Sequence, residues 1–518
     1  MKSIRSYLEK IISVLLLFLS GLLVAVYLYI GKAFKDASFE QLIYSLLHAD
    51  GTSFDAIWEG LLYGSIILIV FSIIIYFPFY VNSKTSNYIH LNIGKSKKNI
   101  QIWPLSWKYL FIYSILIFCL CFYVTLDGLG GVVYINNQLN SSSLFEDYYV
   151  NPRDVNLFID GDKKNLIYIF VESLETTSTS VGNGGAMNTS IIPNMEKLAL
   201  ENINFSNSNN LGGALQISNV GWTISGMVAQ TAGIPLKLQI EGNNYIGYSK
   251  YLQGAYSLGE VLEDNGYKNY IMMGSDAFFA GRNEYFLQHG NYEILDYNWA
   301  IREKLIPADY HEWWGYEDSK LFEFAKNKLL EISKKDEYFN FSMLTADTHF
   351  TDGYIDKSCT SLPFDSHYAN SFYCGDMMLY QFINWLKEQD FYKDTVIVIV
   401  GDHLTMQYNF YDDIDPNYQR VVYNTFINSS LTEGNFKNRL FSTVDLYPTT
   451  LAAMGFNIPG NRLGLGTNLF SDKKTLIEEL GFDNLNSEIE RNSKFYNKYI
   501  LGDSYYEMYK DIKKEESE

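Results

Sequence analysis

Three uncharged apolar runs, residues 11–30, 61–81 and 109–126, constrain this chain of 518 residues more than any other feature. At 20, 21 and 18 residues, each is long enough as a helix to cross roughly 30 Å of hydrocarbon. A cleaved signal peptide is the competing reading of the first run, but its apolar core is too long for one and no small-residue cleavage site clearly ends it. A retained anchor of three transmembrane helices within residues 1–126 is the expectation.

Orientation follows from the flanking charges, because lysine and arginine beside a span are preferentially kept in the cytoplasm. Residues 81–108 carry Lys84, Lys95, Lys97, Lys98 and Lys108 and no acid, whereas residues 31–60 carry Asp36, Glu40, Asp50, Asp55 and Glu59 against Lys32 and Lys35. The N-terminus and the 81–108 segment are expected inside, and everything after residue 126 outside. That outer part holds 30 basic and 53 acidic side chains, a formal charge of −23. Such a surface repels nucleic acid, and an anionic substrate would need a local metal or arginine.

Four cysteines occur. Cys119 and Cys121 lie in the third apolar run and read as small packing residues. Cys359 and Cys374, with 14 residues between them, fall in the outer part. That compartment permits a disulfide, and a pair of unlinked thiols is the alternative.

Residues 127–163, with Gly128, Gly130, Gly131 and the polar stretch NNQLNSSS, read as a linker. From about Asn165, short apolar runs (LIYIFVES, YIMMGS, NFSMLTAD, TVIVIVGDH) alternate with segments apolar at spacings of three and four (IPNMEKLALEN, GAYSLGEVLEDNG, EDSKLFEFAKNKLLEISKK, MLYQFINWLKEQ). Continuous apolar strands alternating with amphipathic helices predict an α/β domain, residues 164–507, with a central sheet covered by helices on both faces. The charged end, 508–518, reads as a disordered tail.

Ligands of α/β sheets bind where strands end, and two strands here finish in metal-ligand residue types: FVES at Glu172, and IVGDH at Asp402 and His403. Each carboxylate also has a plain reading as a helix cap or turn residue. Glu175 reads as a surface acid. Gly221-Trp222-Thr223-Ile224-Ser225-Gly226-Met227 leads into MVAQTAGIPL, so a helix is predicted to start at Thr223 and stop at Gly-Ile-Pro. A threonine there is ordinarily an N-cap. The same place, with free N–H groups and a positive dipole end, also suits a hydroxyl that carries phosphate. His349, in TADTHF, follows another apolar strand.

Together the motifs NLIYIFVESLE, GWTISGMVAQTAGIPL, FFAGRNEYFLQHG, WWGYEDSKLFEFA, DTHFTDGYIDKSC, DTVIVIVGDHL and NRLGLGTNLF resemble, in one order over residues 165–470, the phosphoglycerol transferases of periplasmic glucans and their relatives the lipoteichoic acid synthases. The resemblance implies an alkaline-phosphatase/sulfatase-like fold. It implies that Glu172, Thr223, Asp402 and His403 bind a divalent metal, typically manganese, with magnesium or zinc also suited to the donors, and that Thr223 is the nucleophile. It implies that His349 belongs to the substrate pocket, that Arg282 contacts the glycerophosphate, and that Cys359 and Cys374 form one bridge. Met273, Ser275 and Ala280 depart from the lipoteichoic acid synthase pocket, and Thr231-Ala232 stands where the glucan enzymes have a cysteine before Gly-Ile-Pro.

The implied activity is transfer of glycerophosphate from phosphatidylglycerol, through a covalent glycerophospho-threonine, to an extracytoplasmic glycan or teichoic-type acceptor, releasing diacylglycerol. The implied location is a bacterial cell (inner) membrane, multi-pass, with the catalytic domain outside. The alternatives are a phosphoethanolamine transferase or a sulfatase/phosphodiesterase on the same fold, or an inactive envelope scaffold. No Cys- or Ser-x-Pro-x-Arg signature for a formylglycine nucleophile is present.

Overall fold

The structure, a computed structural model, describes residues 2–33, 37–47, 61–62, 64–69, 72–73, 87–93, 96–103, 107–159, 161–237, 251–407 and 409–502. Helices α1 (Lys2–Ala33) and α2 (Phe39–Leu47), a hairpin of strands β1 (Asn87–Ile93) and β2 (Ser96–Trp103), and helix α3 (Trp107–Gly128) come first. The chain forms two compact units, Met1–Phe39 with Thr52–Asn136, and Glu40–Gly51 with Asn137–Glu518.

In the first unit, α1 and α3 contain the two described stretches long and apolar enough to cross a membrane, Leu8–Gly31 and Tyr109–Gly128. They are not the buried helices of a soluble core, since Leu15, Phe18, Leu116 and Leu120 all face outward. The inward face is made mostly of small residues, Ser13, Ser20, Gly21 and Ala25 on α1 and Ser114, Cys121 and Thr125 on α3, with Leu17 and Leu110 beside them. Lipid tails offer apolar side chains nothing to escape from, so such helices associate by close packing, for which small residues leave room. The Thr125 hydroxyl donates to the Leu23 carbonyl at 3.2 Å, and a Cβ on Gly128 would stand 2.4 Å from the Tyr27 ring. The 61–81 run lies largely outside the described residues, and those described within it are helical.

The second unit is built on a seven-stranded sheet. A short strand β3 (Phe158–Ile159) precedes it and pairs with Phe456–Asn457. The sheet comprises β4 (Asn165–Val171), β5 (Gly213–Ala214), β6 (Tyr267–Met273), β7 (Glu293–Leu295), β8 (Tyr338–Leu344), β9 (Thr395–Gly401) and β10 (Val422–Ile427), in the order β5-β10-β9-β4-β8-β6-β7. The five strands from β9 to β7 are parallel, and β10 runs against β9. Alternate side chains divide between two cores: Leu166, Tyr168, Phe170, Val396, Val398 and Val400 on one face, Ile167, Ile169, Val171, Ile397 and Ile399 on the other. Burial on both faces is why these strands read as unbroken apolar runs.

Helices α4 (Pro193–Glu201), α6 (Asp318–Ile332) and α7 (His367–Lys387) cover the second face, while α5 (Thr223–Ala232) and α8 (Leu446–Ala453) cover the first. The stretch read as a linker contains the helices Gly131–Leu139 and Leu144–Tyr148. Leu144 and Phe145 are buried in the core, with Phe145 edge-on to Tyr496 at 5.0 Å, so this part of the chain belongs to the folded unit. The 508–518 tail lies outside the described residues.

Cys359 and Cys374 are joined, which fastens the loop after β8 to α7. Closing a loop of this length restricts the unfolded chain by roughly 3 kcal/mol. A Cys359→Ser variant is therefore expected to melt several degrees lower than the parent in a thermal scan. An unchanged midpoint would show that the bridge adds nothing.

Candidate active site

Strands β4 and β9 are parallel neighbours, with Val171 in register with Gly401. The residues that follow, Glu172 on one side and Asp402 and His403 on the other, therefore emerge together at the carboxyl edge of the sheet, where α/β folds take their ligands. All three are buried. Their ligand atoms lie within 4.8 Å of one another. His403 Nε2 is 3.5 Å from Glu172 Oε1 and 3.3 Å from Asp402 Oδ2.

The imidazole is set by its other nitrogen, since Nδ1 lies 2.8 Å from the Leu404 carbonyl and donates to it. That leaves the Nε2 lone pair turned toward the acids. Asp402 Oδ1 accepts the N–H groups of Ser173 at 2.8 Å and of His403 at 2.9 Å. Among the described residues Asp402 Oδ2 and His403 Nε2 have no hydrogen-bond partner, although both are buried. Two orphaned ligand atoms facing a second carboxylate, that of Glu172, are what a divalent cation requires, and the donor set fits one. Burial, then the charge of Glu172, pushes the Asp402 carboxyl up to about 7. Burial opposes charge on His403, but Asp402 and Glu172 outweigh it and raise its pKa.

Helix α5 places Thr223. The N-cap is Trp222, in extended backbone, and its N–H is met by Ser225 Oγ at 3.0 Å. Thr223 is thus the first residue inside the helix and its hydroxyl is not spent on capping. It points to Glu172 Oε2 at 3.4 Å. The helix lies hard against the end of β9, because a Cβ on Gly226 would meet the Asp402 carbonyl oxygen at 2.1 Å. One turn on, Gln230 Nε2 donates to the carbonyls of Gly401 at 2.9 Å and Asp402 at 3.2 Å. Any larger residue at 226 would push Thr223 off the site. The helix ends, as its Gly-Ile-Pro stop predicts, at Gly233 with φ +67°.

Several supporting residues carry no signal in the sequence. Ser173 sits at φ +58°, which turns its N–H toward Asp402 and its hydroxyl toward Glu172 Oε1 at 2.9 Å. The loop after β8 clamps the Glu172 backbone from both sides: Thr345 Oγ1 accepts its N–H at 3.1 Å and the Thr348 hydroxyl donates to its carbonyl at 2.5 Å. The Asp318 carboxylate holds that loop through the N–H groups of Ala346 and Asp347 at 2.8 and 3.0 Å. Glu175, expected at the surface, is fully buried. It is paired with Arg420 and accepts the Thr405 N–H at 2.8 Å, so it braces the loop that follows His403.

His349 and Arg282 also come to this side of the domain. His349 lies against Trp314, with ring centroids 4.6 Å apart, and is stacked on Phe350 at 4.8 Å. Burial is the main cause that pushes it down to about 4, and the nearby His403 and Arg282 add to the effect. Arg282 is buried, donates to the carbonyls of Phe279 at 3.0 Å and Asp276 at 2.7 Å, and lies over the Phe279 ring at 5.4 Å. Phe279 in turn packs on Trp314 at 5.5 Å. The aromatic wall beside His349 therefore comes from Trp314, while Ala280 is buried in a left-handed turn and Met273 and Ser275 are buried.

The sequence pattern of the family described as Sulfatase matches residues 164–456, and the chain belongs to that family. Within it, the chain is similar to phosphoglycerol transferase I of Salmonella paratyphi B, at 33% identity over 270 residues that cover 51% of this chain and 33% of the relative. Phosphoglycerol transferase I of Escherichia coli O6:K15:H31 is 34% identical over the same shares. The chain thus spans about a third of the length of the curated relatives it matches. Among solved structures, lipoteichoic acid synthase LtaP of Listeria monocytogenes aligns with TM-score 0.46 and 18% identity over 61% of this chain and 79% of that one. The lipooligosaccharide phosphoethanolamine transferase EptA of Neisseria meningitidis aligns with TM-score 0.48 and 12% identity over 87% and 84%.

Two outcomes follow from the geometry. Glu172→Gln and His403→Ala should each weaken Mn²⁺ binding by at least about tenfold, since each removes a donor. Calorimetric titration of the metal-stripped protein reads this, and unchanged affinity in both would remove the cation from the site. His349 should stay uncharged as pH falls from 7 to about 5, because its folded pKa lies near 4. The unfolded chain takes up the proton first, so this residue costs stability progressively as pH drops below the ordinary 6.5. The imidazole resonances, assigned by their loss in His349→Gln, would contradict this if they titrated near 6.5.

Proposed function

We propose that this protein is a membrane-anchored phosphotransferase that moves glycerophosphate from phosphatidylglycerol to an extracytoplasmic glycan or teichoic-type acceptor by way of Thr223. The observation that carries the reading is the Thr223 hydroxyl: it is released from helix capping and turned onto Glu172 beside Asp402 and His403. The similarity to phosphoglycerol transferases I supports the choice of donor. The two apolar helices support a membrane anchor, and the flanking charges support an outward-facing domain at 164–507.

A divalent cation held by Glu172, Asp402 and His403 would lower the pKa of the hydroxyl and offset phosphate charge, and Mn²⁺ is our choice among the metals these donors suit. Glu172 Oε2 would accept the proton as Thr223 Oγ1 forms its bond to phosphorus and the bond to the diacylglycerol oxygen breaks, that oxygen taking a proton from water. The N-terminal N–H groups of α5 face the phosphoryl oxygens there. Arg282 supplies positive charge in an otherwise acidic domain. His349, uncharged at neutral pH, is suited to take the proton from the acceptor hydroxyl when that oxygen displaces Thr223, whose oxygen recovers its proton from Glu172. Diacylglycerol remains in the bilayer throughout.

Incubation of the full chain with fluorescent phosphatidylglycerol and Mn²⁺ should release diacylglycerol and leave glycerophosphate on Thr223, seen by mass spectrometry of the peptide. Thr223→Ala should lower release on the order of 10³-fold or more. Turnover with an unmodified threonine would sink the mechanism. Preferential cleavage of labelled phosphatidylethanolamine in a parallel reaction would assign the other headgroup.

A further inference from the structure

Helix α2 is part of the catalytic unit, although residues 52–136 separate it from the rest of that unit. Glu40 and Gln41 are buried there at 4% and 7% exposure, and Ile43 packs against the core around α5. An acid and an amide at the start of a helix next to a membrane span would ordinarily be left in water. Here they are enclosed.

Glu40 shares its enclosure with Lys237, Asn219 and Glu490. Burial pushes the Glu40 carboxyl up to about 7 against the pull of Lys237 and Asn219, and it pushes Lys237 down to about 8 against the pull of Glu40, Glu490 and Glu488. Each charge is what makes the other's burial tolerable. Lys237 also donates to the Arg491 carbonyl. Glu40 Oε1 and Asn219 Nδ2, an acceptor and a donor, are the atoms of this cluster left without a close partner.

Asn219 lies four residues before Thr223, at φ +64°, in the segment that leads into α5. That segment is pinned at three places. Gln216 Oε1 accepts the Leu404 N–H at 2.8 Å. The Ser218 N–H goes to Asn486 at 2.7 Å and its hydroxyl to Glu490 at 2.8 Å. The Asn219 backbone carbonyl accepts the Leu236 N–H at 3.0 Å, and its side chain is buried in the same enclosure as Glu40. The neighbouring residue of α2, Gln41, meets Met406 Sδ at 3.1 Å, three residues beyond His403.

We propose that α2 is a positioning element of the active site: with Glu40 buried beside Asn219 and Lys237 it packs against the segment that presents Thr223, and through Gln41 it holds the segment that follows His403. The proposal rests on the reading of Thr223 as the nucleophile. It makes Glu40 and Gln41 residues that act through others, with no contact to substrate. Their work is to fix where a hydroxyl and an imidazole stand, and displacements of about 1 Å at reacting groups are costly to rate.

The test uses the full chain in detergent or vesicles with Glu40→Gln and, as a variant that disturbs no charge, Gln41→Leu. Amide hydrogen exchange is expected to quicken at residues 216–222 in the first and 404–407 in the second, with the sheet strands unchanged. The kcat for phosphatidylglycerol cleavage should fall on the order of tenfold in Glu40→Gln while KM stays within about twofold, the split expected when orientation and not binding is lost. Exchange at both segments equal to that of the parent, or quickened evenly across the domain, would overturn the proposal. If the parent chain cleaves no phosphatidylglycerol, the transfer reading fails. The exchange pattern then still decides the role of α2.

Discussion

The parallel pairing of β4 with β9 is the constraint on which everything else in the second unit depends. Because Val171 and Gly401 are in register, two residues that end separate apolar strands, 230 positions apart, are delivered to one place at the sheet edge. A slip of one residue would turn both sets of side chains to the other face. The site then needs only a third element, and α5 is drawn in by the bare surface of Gly226 and the two carbonyl contacts of Gln230. Glu172, Asp402, His403 and Thr223 owe their proximity to backbone pairing and close packing, not to attraction among themselves; for three acids and bases in a dry site that attraction is poor.

The domain solves its electrostatic problem locally. Its surface is strongly acidic, yet Asp318, Glu175 and Asp402 are each met by backbone N–H groups or one cation. Asp318 takes two N–H groups from the loop after β8, Glu175 takes Arg420 and an N–H from Thr405, and Asp402 takes two N–H groups through a single oxygen. Among the described residues the second Asp402 oxygen, His403 Nε2 and Asp347 Oδ1 lack a hydrogen-bond partner here, and the first two are adjacent. Asp318 and Glu175 are committed to their partners, whereas two neighbouring ligand atoms, one on Asp402 and one on His403, are held open.

Much of this was legible in the sequence. The four central strands and the four helical segments between them lie where apolar continuity and three-to-four spacing put them, because a sheet buried on both faces writes itself as unbroken Val, Ile and Phe. Glu172, Asp402 and His403 could be suspected from strand ends alone. Thr223 could not, since spacing makes it an ordinary cap; only the resemblance to phosphoglycerol transferases singled it out, and the structure shows Trp222 and Ser225 doing the capping. Glu175, Ser173 and Thr345 were missed or misread because their partners are distant in sequence and their roles are set by tertiary contact. The polar stretch after residue 127 looked like a spacer because Leu144 and Phe145 are two apolar residues in a polar setting, too few to register as a core.

The small-residue seam between α1 and α3 has a consequence for how such proteins drift. Outward-facing positions such as Leu15 and Leu116 need only be apolar, so Leu, Ile, Val and Phe interchange there at little cost. The inward positions answer to shape, and at Gly128 a single methyl group would collide with Tyr27. A membrane segment of this kind stores its information in a few small side chains spread over tens of residues, whereas the sheet stores it in contiguous runs.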